Sequence, residues 1–217
     1  MMLYRFGKKY ALRLLIHQLK NNFFIQQREL ILLLKYYNRV LEKIEKCFSA
    51  STNKYYHSVT KNGKETYFDP LHSCQWFIFL YFFANTIYKN EQNNKTARKL
   101  CDEIYLINIK NSGANIYYEI DMPSIFMCDH PIGTVLGRAK YGDGFSFSQG
   151  NTVGNNHGIY PELGKNVTMF SNSKILGKCK IGNNVIISAN AYIKDQDIPD
   201  NSIVFGQSPN LVIKNNK

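Results

Sequence analysis

Along residues 10–48 apolar side chains return at helical intervals: Leu12, Leu15, Ile16 and Leu19, then Leu30, Leu33, Leu34, Tyr37, Val40, Leu41 and Ile44. Steps of three and four place such residues on one stripe of a helix, so this stretch is predicted helical with that stripe inward. Residues 50–66 are polar and contain Asn62-Gly63, a turn signal. Asp69-Pro70 then offers an N-cap followed by proline at the first helical position, which predicts an aromatic-rich helix over 70–88. A polar connection over 90–94 leads to a further helix over 95–110.

Past residue 115 the helical period stops and a period of six takes over. Leu163, Met169, Ile175, Ile181, Ile187 and Ile193 stand six apart, and the positions two before them hold Pro161, Val167, Ser173, Cys179, Val185 and Ala191, mostly small. Upstream, Val135, Tyr141, Phe147 and Val153 keep the same step, with Gly133 and Ala139 as small partners. One large and one small residue in every six suits a triangular coil of three short strands whose large residue points into the prism. Neither an amphipathic helix nor a meander produces that pattern. From Val153 to Leu163 the step is ten, so four residues must leave the coil in a loop over 155–160. Loops on rigid scaffolds often carry binding groups. The reading is an α+β chain: an N-terminal α-helical domain over 1–114, serving packing or oligomerisation, then a C-terminal left-handed parallel β-helix over 115–217 with a protruding loop and a tail.

Composition narrows the partners. With 44% hydrophobic and 20% charged residues among 217, the chain is globular and long enough for a real core. Lys plus Arg outnumber Asp plus Glu by 27 to 16, which favours phosphates, acidic glycans or lipid headgroups. No zinc-finger spacing, RNP-like aromatic run or Arg-clustered recognition helix marks a nucleic-acid module, so nucleic acid is not an expected partner. Cys47, Cys74, Cys101, Cys128 and Cys179 are odd in number and never form a C-x-x-C pair. Arg13 interrupts the apolar stretch over 11–16, against a signal peptide, and a reduced cytoplasmic setting fits. The densest apolar run, 76–84, is shorter than the ~20 residues of a spanning helix, which leaves at most peripheral membrane contact.

Four local sequences add chemistry. Asp129-His130 followed by Pro-Ile-Gly-Thr-Val-Leu-Gly is similar to an Asp-His-x-x-Gly-x-Val-x-Gly signature, and Lys174-Ile175-Leu176-Gly177 to a Lys-Ile-Leu-Gly segment. Val204-Phe205-Gly206-Gln207-Ser208-Pro209 resembles a Gly-x-Pro turn, and His72-Ser73-Cys74-Gln75 a His-x-x-Gln pair. Together they resemble the hexapeptide-repeat acyltransferases, specifically the serine O-acetyltransferase-like branch, a type also found among polysaccharide O-acetyltransferases. The resemblance implies transfer of an acetyl group from acetyl-CoA to a hydroxyl, with His130 in the place of the general base. An alcohol is a poor nucleophile while it keeps its proton, and an imidazole of pKa about 6.5 is matched to removing it. A carboxylate on the other ring nitrogen would fix the tautomer. The family takes it from an Asp-Ile-His-Pro stretch fifteen residues upstream. The nearest match here is Asp121-Met122-Pro123, with Asp121 only nine before His130, as if one hexapeptide were missing, and Glu119 is the alternative. Asp129 is set aside because neighbours in a strand point to opposite faces.

The acceptor side departs from the serine pattern. That branch has His-Pro where the coil resumes, and here the pair is Tyr160-Pro161. A phenol supplies no cation for a carboxylate at neutral pH. Aromatic faces stack on sugar rings, so a hydroxyl of a capsule, lipopolysaccharide or precursor sugar is expected ahead of free serine. A non-catalytic β-helix scaffold is the reading of another class. Tyr160, His157 and Asp69 are the acceptor-side candidates, although they equally suit packing, a solvated loop and a helix cap. The serine branch also has a partner-binding tail ending in Ile, whereas this sequence ends Lys-Asn-Asn-Lys. Ser171 and Ala189 match small positions that face acetyl-CoA, and Lys194 and Lys214 would meet its phosphates as point charges. A homotrimer or dimer of trimers would close the cofactor faces. A metal-dependent activity on this fold needs three histidines from adjacent strands, and only His130 and His157 lie past residue 115, so no metal is expected.

Overall fold

A computed structural model describes residues 2–61 and 63–216; Met1, Asn62 and Lys217 lie outside them, and with Asn62 the turn expected at Asn62-Gly63. The chain forms two compact units, Met1–Ser112 and Gly113–Lys217.

The first unit holds helices α1 (Tyr10–Asn22), α2 (Gln27–Ser49), α3 (Ser73–Asn90) and α4 (Lys95–Ser112). Reciprocal capping starts α2: the Gln26 side chain accepts from the Glu29 backbone, while the Glu29 carboxylate accepts from the Gln26 N–H. The buried stripe of α2 centres on Leu33, Tyr37, Val40 and Ile44. It leans towards Leu32 and Tyr36, which leaves Leu34, expected inside, 62% exposed. Helix α3 is buried on nearly all sides, so its aromatic run shows no stripe. Phe79 packs 5.4 Å from both Phe68 and Phe83, ring centre to ring centre.

Two expectations for this unit change. The aromatic helix begins at Ser73, not at residue 70, because Asp69 caps a turn instead: its Oδ1 accepts from the Leu71 N–H at 2.9 Å. The helix cap is His72, whose Nδ1 accepts from the Gln75 N–H at 3.4 Å. The polar stretch before it contains strands. β1 (Leu3–Tyr4), β2 (His57–Thr60) and β3 (Gly63–Phe68) form a sheet in the order β1-β3-β2, with β3 parallel to β1 and antiparallel to β2. Most of their residues are only half-covered, so alternation is weak. All five cysteines are buried thiols, and burial pushes Cys101 up to about 12. Among the described residues no helix is long and apolar enough to cross a membrane.

The second unit is a parallel β-helix of three faces. On the first face Ile116, Leu136, Val153, Ile175 and Ile193 stack in register. Cys128, Phe147, Met169, Ile187 and Val204 do so on the second, and Tyr141, Leu163, Ile181 and Ile198 on the third. All are buried. The period of six therefore holds from Leu163 to Ile193 and slips once upstream: Val135 is 46% exposed and Leu136 takes the inward place, with Thr134 rather than Gly133 as its buried small partner. The step from Leu136 to Tyr141 is therefore five rather than six, although its corner keeps the turn of the regular coil, with the Ala139 N–H donating to the Gly137 carbonyl at 2.8 Å as that of Cys179 does to Gly177 at 2.9 Å. The coil starts at Asn115, where the change of period places it.

The corners demand left-handed backbone. Asn166, Asn184 and Asn201 occupy one corner of successive coils, Asn172 and Asn190 the next, all at positive φ, a region asparagine tolerates better than most residues. In both series a glycine stands just ahead of the first asparagine, Gly144 and Gly150, where a Cβ would stand 2.2 Å from Asn166 Oδ1 and 2.1 Å from Asn172 Oδ1. The Asn166 amide donates to Asn184 Oδ1, and Asn184 to Asn201 Oδ1, both at 3.0 Å. The final strand of the coil, Ser202–Gln207, bends from the second face, beside Ile186, to the first, beside Tyr192. It then turns back as an antiparallel hairpin with Asn210–Asn215.

Candidate active site

His130 follows the second-face strand Phe126–Cys128 in the first corner. The segment leaves strand geometry there, and His130 has φ +47°. A non-glycine residue at positive φ is a place to look for function. Its turn is pinned from two coils. The Gly133 N–H donates to the Gly113 carbonyl of the coil before, and the Gly150 N–H of the coil after donates to the Ile132 carbonyl, both at 2.9 Å. Beneath it Thr134 Oγ1 donates to the Ser148 carbonyl at 2.8 Å. The fully buried Asn151 donates from its amide to the Phe170 carbonyl at 2.7 Å and to Ser173 Oγ at 2.9 Å. This polar stack gives the imidazole a rigid base while its side chain stays 80% exposed.

The carboxylates sort differently from the expectation. Because Asp129 and His130 lie in a bend rather than a strand, their side chains turn to the same side, and Asp129 Oδ1 stands 3.6 Å from His130 Nε2. That distance makes an ion pair when the ring is protonated. Glu119 is engaged elsewhere: its Oε2 pairs with Arg138 at 2.9 Å, and the Arg138 guanidinium lies 5.6 Å from the Tyr117 ring centre. Asp121 is exposed, nine positions before His130. Through this segment the coil is continuous, with Ile116 stacked directly on Leu136. Fifteen positions before His130 stands Asn115, whose N–H donates to the Thr134 carbonyl at 2.8 Å.

The loop over 155–160 is a tight hairpin. Asn156 and Ile159 exchange both backbone hydrogen bonds at 3.0 Å. His157 and Gly158 between them have φ +50° and +80°, the signature of a type I′ turn. Asn156 ties the loop to Asp195 through its side-chain amide. The Lys178 N–H first, then Asn156, hold the Asp195 carboxyl below its ordinary range. His157 is exposed at the tip. Tyr160 lies over Gly137, where a Cβ would stand 3.4 Å from its ring, and its hydroxyl accepts from Asn155 at 3.4 Å. Asp69 belongs to the other unit, where Arg5 pairs with it at 2.8 Å.

Ser171 and Ala189 occupy the same corner one coil apart, joined by the Asn190 N–H donating to the Ser171 carbonyl at 3.0 Å. Ala189 is exposed, so backbone is open there. Lys194 ends a first-face strand and borders an open pocket of about 380 Å³ with Gln196, Ser208 and Pro209. Lys214 lies on the closing hairpin opposite Ile203, with its ammonium 5.5 Å from the Phe205 ring centre. Among the described residues, no three His, Cys, Asp or Glu side chains come together as metal ligands would.

Known proteins agree with this architecture. The family model "Bacterial transferase hexapeptide (six repeats)" matches residues 160–195. A serine acetyltransferase of Staphylococcus epidermidis is 28% identical over 140 residues, covering 62% of this chain and 63% of the relative. One from Staphylococcus aureus is 35% identical over 89 residues, covering 39% of this chain and 41% of its own. The chain thus spans less than two thirds of the length of either relative. Among solved structures, serine acetyltransferase of Neisseria gonorrhoeae superposes with a TM-score of 0.69 at 18% identity, covering 95% of this chain and 80% of that one. A serine acetyltransferase solved in complex with CoA gives 0.65 at 15% identity, covering 95% and 84%. The chain thus carries a bacterial transferase hexapeptide-repeat segment over residues 160–195 and shares the fold of these serine acetyltransferases.

Proposed function

We propose that the protein is an acetyl-CoA-dependent O-acetyltransferase that acetylates the hydroxyl of serine, with His130 as general base. The observation that carries this is the Asp129–His130 pair: an exposed imidazole on a rigid, left-handed turn with a carboxylate 3.6 Å away. His130 takes the hydroxyl proton as the oxygen attacks, and Asp129 steadies the imidazolium that results. The same ring can return that proton to the departing thiolate. Asp121 is the second carboxylate of the site, since Glu119 is committed to Arg138. Acetyl-CoA supplies the activated acetyl thioester. The chain fits it through the small corner residues Ser171 and Ala189, which let a ligand approach backbone, and through Lys194 and Lys214.

Serine is preferred over a sugar because the relatives named above are serine acetyltransferases. The sugar acceptor inferred from Tyr160 loses its support, since that ring is used in packing over Gly137. A homotrimer is the assembly that goes with this reading, and a monomeric mass by light scattering would count against it. The deciding experiment is thiol release from acetyl-CoA against serine, nucleotide sugars and acidic oligosaccharides. Serine alone should release thiol well above the background, and release with none of them would overturn the proposal.

A further inference from the structure

The first 28 residues contain Arg5, Lys8, Lys9, Arg13, Lys20 and Arg28 and no acidic residue. Lys8, Lys9, Arg13 and Lys20 are exposed, and no ion pair among the described residues engages them. Beside them α1 and α2 leave a groove of about 480 Å³, floored by Leu12, Ile16 and Leu34 and rimmed by Lys8, Lys9 and Arg13. Ile31 and Leu34, three residues apart on α2, are both exposed. Phe24, in the turn that joins the two helices, is 95% exposed. Single exposed apolar residues are ordinary, but here they accompany unpaired cations on one helical hairpin, the make-up of an element that lies in a membrane interface.

We propose that the α1–α2 hairpin docks the protein on a bilayer that carries anionic lipid. Phe24 and Leu34 enter the boundary of the acyl chains, and Lys8, Lys9, Arg13 and Lys20 meet headgroup phosphates. Charge selects this occupant. A second copy of the same face would set these cations against their like, whereas an acidic lipid surface neutralises them. The inference is independent of the acetyl-transfer reading, because it uses no residue of the β-helix.

Flotation of the full chain with vesicles tests it. The protein should float with phosphatidylcholine–phosphatidylglycerol vesicles and not with phosphatidylcholine alone, and high salt should release it. Each cation near such a surface contributes about fivefold in binding, so K8E/K9E/R13E together should lower it by more than about a hundredfold. Phe24→Ser, at a side chain that supports no packing, should lower binding about tenfold with the far-UV circular dichroism unchanged. Equal binding to both vesicle types, binding to neither, or binding unaffected by Phe24→Ser overturns the proposal. So does a Leu34→Asp variant of lower oligomeric mass with unchanged flotation, which would make the groove a contact between copies.

Discussion

Leu33 and Leu34 are neighbours in α2 with opposite fates, the first fully buried and the second largely exposed, whereas Ile175, Ile181, Ile187 and Ile193 of the β-helix are all buried. In the helical unit burial depends on which distant elements happen to cover a stripe. In the β-helix it depends on coil position, because each inward side chain rests on its counterpart one coil away. The contrast shows why a repeat announces its core in sequence while a helical bundle announces only a face.

The largest expected effect tests the chemical side. His130→Ala should lower turnover by roughly two to four orders of magnitude while CoA affinity, measured by calorimetry, hardly changes. Near-normal turnover would remove the base, and lost CoA binding would make His130 part of the cofactor groove. Packing gives the next test. Ile175→Ala should cost about 2–5 kcal/mol in denaturant unfolding, and Leu34→Ser no more than about 0.5 kcal/mol. Similar costs at the two sites would erase the distinction drawn above.

A smaller effect belongs to the helical unit alone. Glu91 accepts from Lys35 at 2.6 Å, Tyr36 at 2.7 Å and Asn94 at 3.1 Å, and these bonds, that from Lys35 first, hold its carboxyl at about 2. Its folded value lies below the unfolded one, so the contribution is whole above about pH 4.5 and fades as pH falls towards about 2. Lys35 is half-exposed, and screening reduces the effect to about 1 kcal/mol, which Glu91→Gln should remove from the acid limb of a pH–stability curve. The smallest effect is expected for Lys194→Ala and Lys214→Ala, each weakening CoA binding a few-fold and making it less salt-dependent. Unchanged affinity in both would take them out of the site.

Legibility followed the same division. The triangular coil, its inward residues from Leu163 on and the loop over 155–160 are written in the spacing, since solenoid geometry repeats its demands. The slip at Val135 is not, because a step shortened by one residue leaves the local apolar pattern intact and changes only which of Val135 and Leu136 faces in. His130 stands out through its motif, but its partners do not. Asp129 reaches it through a bend that strand alternation excludes, and Glu119 is withdrawn by Arg138, a pairing between coils that sequence adjacency hides. In the helical unit the His72–Gln75 pair looks like a functional motif, yet Gln75 ties the Asp69 N–H to the Tyr55 carbonyl at 2.8 Å each, so its local role is structural.

The asparagine corners give the β-helix a direction of growth. The side chains of Asn166, Asn172, Asn184 and Asn201 lean into the coil before them, and the rung ahead of the first asparagine in each series is a glycine with no Cβ to collide with it. A duplicated coil inserted between two asparagine rungs inherits a ready-made space. One inserted ahead of Gly144 would need its own corner residue to find room without that glycine's help, so at that corner lengthening of this solenoid by repeat duplication is favoured on the C-terminal side of Gly144.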